Sequence, residues 1–190
     1  MVTDKNETYE FSKDKRESLL STAFATCLDI LETCKHIAHD FDKPNKRTKY
    51  FCAGLYTHAL EEYGKILYLK NLPVENDVIK IDYRKYGGHK TKFSLVDDDA
   101  QIPEICKKFF GDKRWVGKPG DEATAVLQST IPVDQITRFQ IFYSDFEDNG
   151  NIVRYPDVDK EKLREAIDEL WLFIFNAERE YMRELELKKS

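Results

Sequence analysis

Apolar residues recur at helical spacing along both ends of the chain. The first such stretch runs from about Ser12 to Asp42. Its apolar stripe is Leu20, Phe24, Cys27, Leu31, Cys34, Ala38 and Phe41. The last stretch starts at Asp157 or Asp159, either of which is a good N-cap, and runs to about Leu187. Its stripe is Leu163, Ile167, Leu170, Ile174, Ala177, Tyr181 and Leu185. The pattern predicts two long helices that each bury one face.

A third long helix is predicted between Lys46 and Leu72, because no proline interrupts the chain from Pro44 to Pro73. The short turn before it implies that it lies antiparallel to the first helix. Its apolar residues go almost all the way round, which is typical of a helix covered by neighbours on nearly every side. They are Phe51, Ala53, Leu55, Tyr56, Ala59, Leu60, Tyr63, Ile66, Leu67 and Leu69.

Four polar residues interrupt this apolar helix on one face. His58, Glu61, Glu62 and Lys65 are spaced by three and four residues, so they fall within an arc of about 100°. Charges inside an apolar face need a partner or a chemical role. The alternative is an ordinary Glu61–Lys65 pair on a half-exposed helix, and the pattern favours neither.

The chain between the central helix and the last long helix is irregular. Residues 73–130 predict an insert with short helices, including one from Lys90 to Val96 and one opened by Pro103. Val78 to Tyr83 is either a short strand or an extended loop, and Tyr86 to His89 reads as a turn. Alternation of aromatic and polar residues predicts a small β-hairpin near 138–155.

These elements together predict a mainly all-α fold. The expected architecture is one domain over 1–190: a helical bundle of three long helices plus short helices, with residues 1–11 disordered or extended.

Composition is consistent with one folded domain. Among the 190 residues, 41% are hydrophobic and 13% aromatic, which excludes a disordered chain. A net charge of −5 argues against general nucleic-acid binding but leaves room for a local basic groove. The sequence has no apolar run of membrane-spanning length and no signal-peptide core, so we expect a cytoplasmic protein without membrane contact. The four cysteines lack metal-type spacing and are expected to be reduced and structural.

A basic segment follows the central helix. Between residues 80 and 92 a single acid, Asp82, stands against Lys80, Arg84, Lys85, Lys90 and Lys92. Such a cluster suits phosphate groups, and its alternative is a solvated loop. Arg84 and His89 also match the Arg-x4-6-His spacing of a class of helical ribonucleases, but the glycines at 87 and 88 argue against a regular helix there.

No serine or cysteine hydrolase signature, zinc pattern or phosphate-binding loop is present. The order His58-x-x-Glu61 is the reverse of the Glu-x-x-His motif of dinuclear metal bundles, and it has no second copy. We therefore assign no metal site and no cofactor.

Three segments resemble the AbiV family of abortive-infection proteins. They are Ala59-Leu60-Glu61-Glu62-Tyr63-Gly64-Lys65, His89-Lys90-Thr91-Lys92 and the segment that holds Arg138 and Tyr143. The family has A-x-E-E-x-G-K, H-x-x-K and R-x-x-x-x-Y-like segments in this order. It is grouped with the HEPN helical-bundle superfamily, many members of which are dimeric ribonucleases in antiviral defence.

The resemblance implies a catalytic site of Glu61, Glu62, Lys65, His89 and Lys92. Substrate contacts would come from His58, Arg84, Lys85, Lys90, Arg138 and Tyr143. Two hypotheses follow from it. The chain is a homodimeric, metal-independent endoribonuclease or RNA-binding protein of antiviral defence, or it is a non-catalytic module that binds a phage or antitoxin protein. Both require the acidic pair to face inward and to meet the segment from His89 to Lys92.

Overall fold

The protein is mainly helical, with three long helices as predicted. The structure, a computed structural model, describes residues 8–42, 47–107, 114–115, 125–126 and 158–189. Helix α1 spans Lys13–Ala38 and α2 spans Arg47–Asn71, within one residue at each end of the predicted central helix. The last long helix, α6, spans Lys160–Lys189. The fold class predicted from the hydrophobic pattern is confirmed.

Helices α1 and α2 form the centre of the core. Every residue of the predicted α1 stripe is buried, from Leu20 to Phe41. Helix α2 is covered on nearly all sides, since Tyr56, Thr57, Ala59 and Leu60 are each at most 1% exposed. All four cysteines are reduced and buried, as expected, and the thiol of Cys27 donates to the Ala59 carbonyl at 3.3 Å.

Side chains cap the starts of α1 and α6. The Ser12 hydroxyl accepts a hydrogen bond from the backbone N–H of Lys15, 3.3 Å away. The Asp159 carboxylate accepts from the backbone N–H groups of Glu161 and Lys162, at 3.1 Å each. Asp159, one of the two predicted caps, therefore starts α6 by binding N–H groups that have no partner within the helix.

Two arginines bind the carboxyl ends of neighbouring helices. Arg16 of α1 donates to the carbonyls of Leu69 and Lys70, at 2.8 and 2.7 Å, where α2 ends. Arg164 of α6 donates to the Ala38 carbonyl at the end of α1, with its Nη2 at 3.1 Å. Cations stabilise these helix ends because the last carbonyls carry a partial negative charge.

Aromatic rings pack α6 against the other two long helices. The ring of Tyr181 stacks on Phe24 of α1, with centroids 5.7 Å apart. The ring of Phe173 meets Tyr63 of α2 edge-on at 5.5 Å. In the described part of the chain, no helix is long and apolar enough to cross a lipid bilayer.

A two-stranded antiparallel sheet lies beside the bundle. Strand β1 (Thr8–Ser12) pairs with β2 (Val78–Asp82), with Tyr9 opposite Ile81 and Glu10 opposite Lys80. The structure thus selects the strand alternative for residues 78–82 and the extended alternative for 8–11. Two further two-residue strands, β3 (Arg114–Trp115) and β4 (Ala125–Val126), also pair. The hairpin predicted near 138–155 lies outside the described residues.

Two short helices follow β2, and here one prediction is wrong. Residues 86–89 are not a single turn, because helix α3 spans Tyr83–Gly87 and helix α4 spans His89–Asp98. The Asp82 carboxylate accepts from the backbone N–H groups of Arg84 and Lys85, and this cap starts α3 before the glycines. A Cβ on Gly88 would lie 2.5 Å from the Arg84 carbonyl oxygen, so the chain needs a glycine between the two helices. Helix α5 spans Glu104–Lys107, inside the segment predicted from Pro103.

Candidate functional site

The acidic pair of α2 faces inward. Glu61 is 1% exposed and Glu62 is 5% exposed, although both are charged residue types. The burial of both residues follows from their position on α2, because neighbouring elements cover the face of the helix that carries them. Carboxylates this deeply buried are stable only beside cations or hydrogen-bond donors.

A glycine lets α4 approach this face of α2. A Cβ at position 64 would lie 2.6 Å from the carbonyl oxygen of Lys92 and 2.7 Å from its Cβ. Real Cβ atoms essentially never lie this close to another heavy atom. Gly64 therefore sets the distance between the two helices, and this short distance brings Lys92 next to the acidic pair.

Lys92 pairs with Glu61 inside the protein. Its Nζ lies 3.7 Å from Glu61 Oε2, and Lys92 is only 4% exposed. The expectation that the acidic pair meets the segment from His89 to Lys92 is confirmed at Lys92. His89 begins α4, one turn before Lys92. Its side chain lies outside what the structure describes.

Lys65 pairs with the other carboxylate. Its Nζ donates to Glu62 Oε1 at 2.5 Å, across one turn of α2. The Lys65 side chain is 24% exposed, and its Nζ lies 5.9 Å from the centroid of the Tyr86 ring of α3. Lys65 thus connects a buried carboxylate to the protein surface and to an aromatic ring on another helix.

His58 lies beside both carboxylates. Its Nδ1 is 3.7 Å from Glu61 Oε2, and its Nε2 is 4.0 Å from Glu62 Oε1. The Nδ1 atom is buried and makes no hydrogen bond to the described residues, whereas the side chain as a whole is 42% exposed. Both ring nitrogens therefore lie near the carboxylates, while part of the His58 side chain is exposed to solvent.

The buried acid also acts on groups around the site. Burial raises the pKa of the Cys27 thiol, and the negative charge of Glu62 raises it further. Burial likewise raises the pKa of Tyr86, an effect that the Lys65 charge opposes and the Glu62 charge supports. Both groups are therefore in their neutral forms at neutral pH. Neither is a candidate for an anionic nucleophile.

The other predicted site residues lie on α3, on α4 or outside the described residues. Arg84 and Lys85 are exposed on α3, and Lys90 lies in the first turn of α4, its side chain not described. Arg138 and Tyr143 lie outside the described residues. Arg84 and His89 are on different helices with Gly88 between them, so they do not form an Arg-x4-6-His motif on a single helix.

Two residues contribute to the geometry of this site in ways that were not predicted from the sequence. Tyr86 was expected only in a turn, and nothing in its own sequence context signals the contact with Lys65. The role of Gly64 did carry a signal, since a glycine inside a helical pattern often marks a close approach of another backbone. In the part of the chain that the structure describes, no group of three or more histidine, cysteine, aspartate or glutamate side chains is arranged to hold a metal ion.

The cluster of His58, Glu61, Glu62, Lys65 and Lys92 contains groups for two kinds of chemistry. The half-exposed imidazole beside two carboxylates is suited to proton transfer, and the lysines are suited to an anionic ligand. Comparisons with family models, curated proteins and solved structures gave no match to this chain.

Proposed function

We propose that this protein is a HEPN-like antiviral defence protein of AbiV type that binds RNA and cuts it at the cluster on α2 and α4. The proposal is supported by one observation above all. The acidic pair singled out by the A-x-E-E-x-G-K segment is buried and meets Lys92 of the H-x-x-K segment, 3.7 Å from Glu61. Two segments that resemble the family and lie far apart in sequence are therefore adjacent in space.

The reaction that fits these groups is metal-independent transesterification. A histidine takes the proton of a ribose 2′-hydroxyl, and the oxygen attacks the neighbouring phosphorus. The bond between phosphorus and the 5′-oxygen breaks, and the 5′-oxygen takes a proton from water or from the protonated histidine to leave as a 5′-hydroxyl. The other product strand ends in a 2′,3′-cyclic phosphate. Negative charge builds up on the phosphate oxygens during attack, and a nearby ammonium group stabilises it.

The exposure of each residue in the cluster indicates whether it can contact RNA. Glu61 and Lys92 are at most 4% exposed, so an RNA backbone does not reach them directly, and we assign them a positioning role. His58 and Lys65 have exposed surface, at 42% and 24% of their side chains. His58 and His89 are the candidate bases, and Lys65 is the candidate phosphate ligand.

The test is cleavage of transfer and messenger RNA by the full-length protein, with and without a chelator. We expect His58→Ala, His89→Ala and Lys65→Gln each to lower the cleavage rate at least about 100-fold, the usual contribution of a proton-transfer group. The matched control is His36→Ala, because His36 is 75% exposed on α1, where it lies beside Glu32. His36→Ala should leave the rate unchanged.

Lys92→Ala is unsuitable for this test, since Lys92 is itself buried and its loss leaves Glu61 without this cation, which lowers stability as well. Lys65→Gln also removes a cation from a buried carboxylate, but it leaves an amide at a position that is 24% exposed. Thermal melts of each variant show whether it remains folded. Cleavage that survives both histidine substitutions overturns the catalytic assignment. RNA binding without cleavage retains the RNA-binding form of the proposal.

A second candidate function is favoured by the completeness of the ion pairing. Both carboxylates have a cation: Glu62 pairs with Lys65 within α2, and Glu61 pairs with Lys92, a structural contact that holds α4 on α2. In that case the protein is a non-catalytic module whose surface binds a phage or antitoxin protein. Failure of the wild-type protein to bind or cleave any RNA would favour this candidate.

A homodimer is part of the first proposal. Light scattering after gel filtration measures the mass directly, and twice the 22.3 kDa chain mass is expected. A mass equal to one chain at micromolar concentration would contradict it.

A further inference from the structure

A second surface of the protein combines exposed aromatic rings with exposed basic side chains. It consists of Tyr9 of β1 and Tyr83, Arg84 and Lys85 of α3, and is called the β1–α3 corner below. Tyr83 is 62% exposed and Tyr9 is 41% exposed. Their rings meet edge-on, with centroids 6.2 Å apart and planes at 73°. Two large rings that support each other in solvent suggest a binding surface, since such side chains are usually covered.

The charge of this corner is positive although the whole chain carries −5. Arg84 and Lys85 are exposed and follow Tyr83 directly. The nearest acid in sequence, Asp82, uses its carboxylate to accept hydrogen bonds from their backbone N–H groups. Glu10 lies on the other face of the β-ribbon from Tyr9, where it faces Lys80 at 3.5 Å. Among the residues that the structure describes, neither basic side chain pairs with a carboxylate, so both are available to an anionic ligand.

Helix α3 connects this corner to the cluster on α2. Tyr86 follows Tyr83 by one turn, and its ring lies 6.1 Å from that of Tyr68 on α2. The same ring lies 5.9 Å from Lys65 Nζ. A chain bound at the β1–α3 corner thus lies at one end of a short helix whose other end contacts the candidate site.

We infer that the β1–α3 corner binds single-stranded RNA, with unpaired bases stacked on Tyr83 and Tyr9 and phosphates bound by Arg84 and Lys85. This inference rests on the proposed function and adds the class of substrate. Exposed rings bind bases that are not already stacked within a duplex, and basic groups beside them follow the backbone. Neither Tyr9 nor Tyr83 belongs to the segments that resemble the family.

The test measures the binding of a fluorescein-labelled 12-nucleotide oligouridine to the full-length protein by fluorescence anisotropy. Tyr83→Ala should weaken binding about tenfold, the usual effect of losing one stacked base. Tyr83→Phe keeps the ring and should bind like the wild type. Arg84→Gln should weaken binding and reduce the slope of log K against log salt by about 0.7.

Two substitutions on α6 are matched controls. Leu172→Ala removes an apolar side chain that is 50% exposed, and Arg183→Gln removes an exposed positive charge. Both should leave the affinity unchanged. Circular dichroism of each variant shows that it remains folded, which is expected because every substituted side chain is on the surface.

Each outcome separates this inference from the proposed function. Wild-type RNA binding that is unchanged in Tyr83→Ala overturns the β1–α3 corner as the RNA site and leaves the proposed function standing. Equal affinity for the single strand and for a duplex of the same length overturns base stacking. Absence of RNA binding by the wild-type protein overturns both, and a corner that serves a protein partner would give this result.

Discussion

Two groups of ion pairs lie where helices of this protein meet, and they differ mainly in burial. The inner group is the Glu61–Lys92 pair, which joins α2 to α4, together with the Glu62–Lys65 pair within α2. Of these residues, Glu61, Glu62 and Lys92 are at most 5% exposed. The outer group joins Asp42, after α1, to Lys160 and Arg164 of α6. Their side chains are 64%, 43% and 26% exposed.

The difference shows what each group can do. Exposed pairs are screened by water and salt and contribute little to stability. A buried pair is a poor source of net stability as well, but removal of one partner leaves a charge in a medium that does not solvate it. The inner group is therefore sensitive to substitution out of proportion to its size, and this sensitivity makes it a candidate for function as well as structure.

The largest effect is expected from Lys92→Met. This change removes the cation 3.7 Å from a carboxylate that is 1% exposed, and we expect the free energy of unfolding to fall by about 3 kcal/mol. Urea denaturation followed by circular dichroism measures it. The double variant Glu61→Leu/Lys92→Met removes both charges and should recover most of the loss. A decrease below about 1 kcal/mol in the single variant would show that the pair behaves like a surface pair.

The next effect is expected from Gly64→Ala. On an open helix surface this change stabilises by about 1 kcal/mol, because alanine favours the helix. Here the new Cβ would lie 2.6 Å from the Lys92 carbonyl oxygen, so α4 must move away, and a net loss of about 2 kcal/mol is expected. Gly87→Ala is the matched control, since its Cβ would meet nothing within 4 Å. Equal melting temperatures for the two variants would contradict the close approach.

The smallest effect is expected from Asp42→Asn in the outer group. Hydrogen bonds from Lys160 and then Arg164 lower the pKa of the Asp42 carboxyl below its usual value. A lowered pKa in the folded state means that the stabilisation is present above the unfolded value and is lost as pH falls through the folded one. Melting curves at neutral pH should show a small decrease for Asp42→Asn that high salt reduces. Below the folded pKa the variant and the wild type should melt together.

The long helices were predictable because their signals are local. Burial of Leu20 through Phe41 follows from the period of α1, and residue type alone limited the cap of α6 to Asp157 or Asp159, of which Asp159 makes the bonds. The pattern on α2 left two alternatives for Glu61 and Glu62, an inward site or a half-exposed surface pair, and their burial selects the inward one. The pairing of Glu61 with Lys92 was expected only through the family resemblance.

What the sequence did not reveal depends on contacts between distant segments. The pairing of β1 with β2 joins residues 8–12 to 78–82, and the sequence of neither strand indicates which segment it pairs with. The break at Gly88 depends on the Asp82 cap, which competes with the turn expected from two adjacent glycines. The exposure of Tyr9 and Tyr83 depends on the packing of the β-ribbon, which no single segment specifies.

Arg16 and Arg164 have a consequence for how the long helices line up. Arg16 binds two terminal carbonyls of α2 and Arg164 binds one of α1, and each helix has only one such end. Displacing either helix along its axis by one turn, about 5.4 Å, would carry these groups out of reach. The two arginines thus fix the axial alignment of the three long helices. The segment from His58 to Lys65 therefore has a fixed axial position relative to α1 and α6.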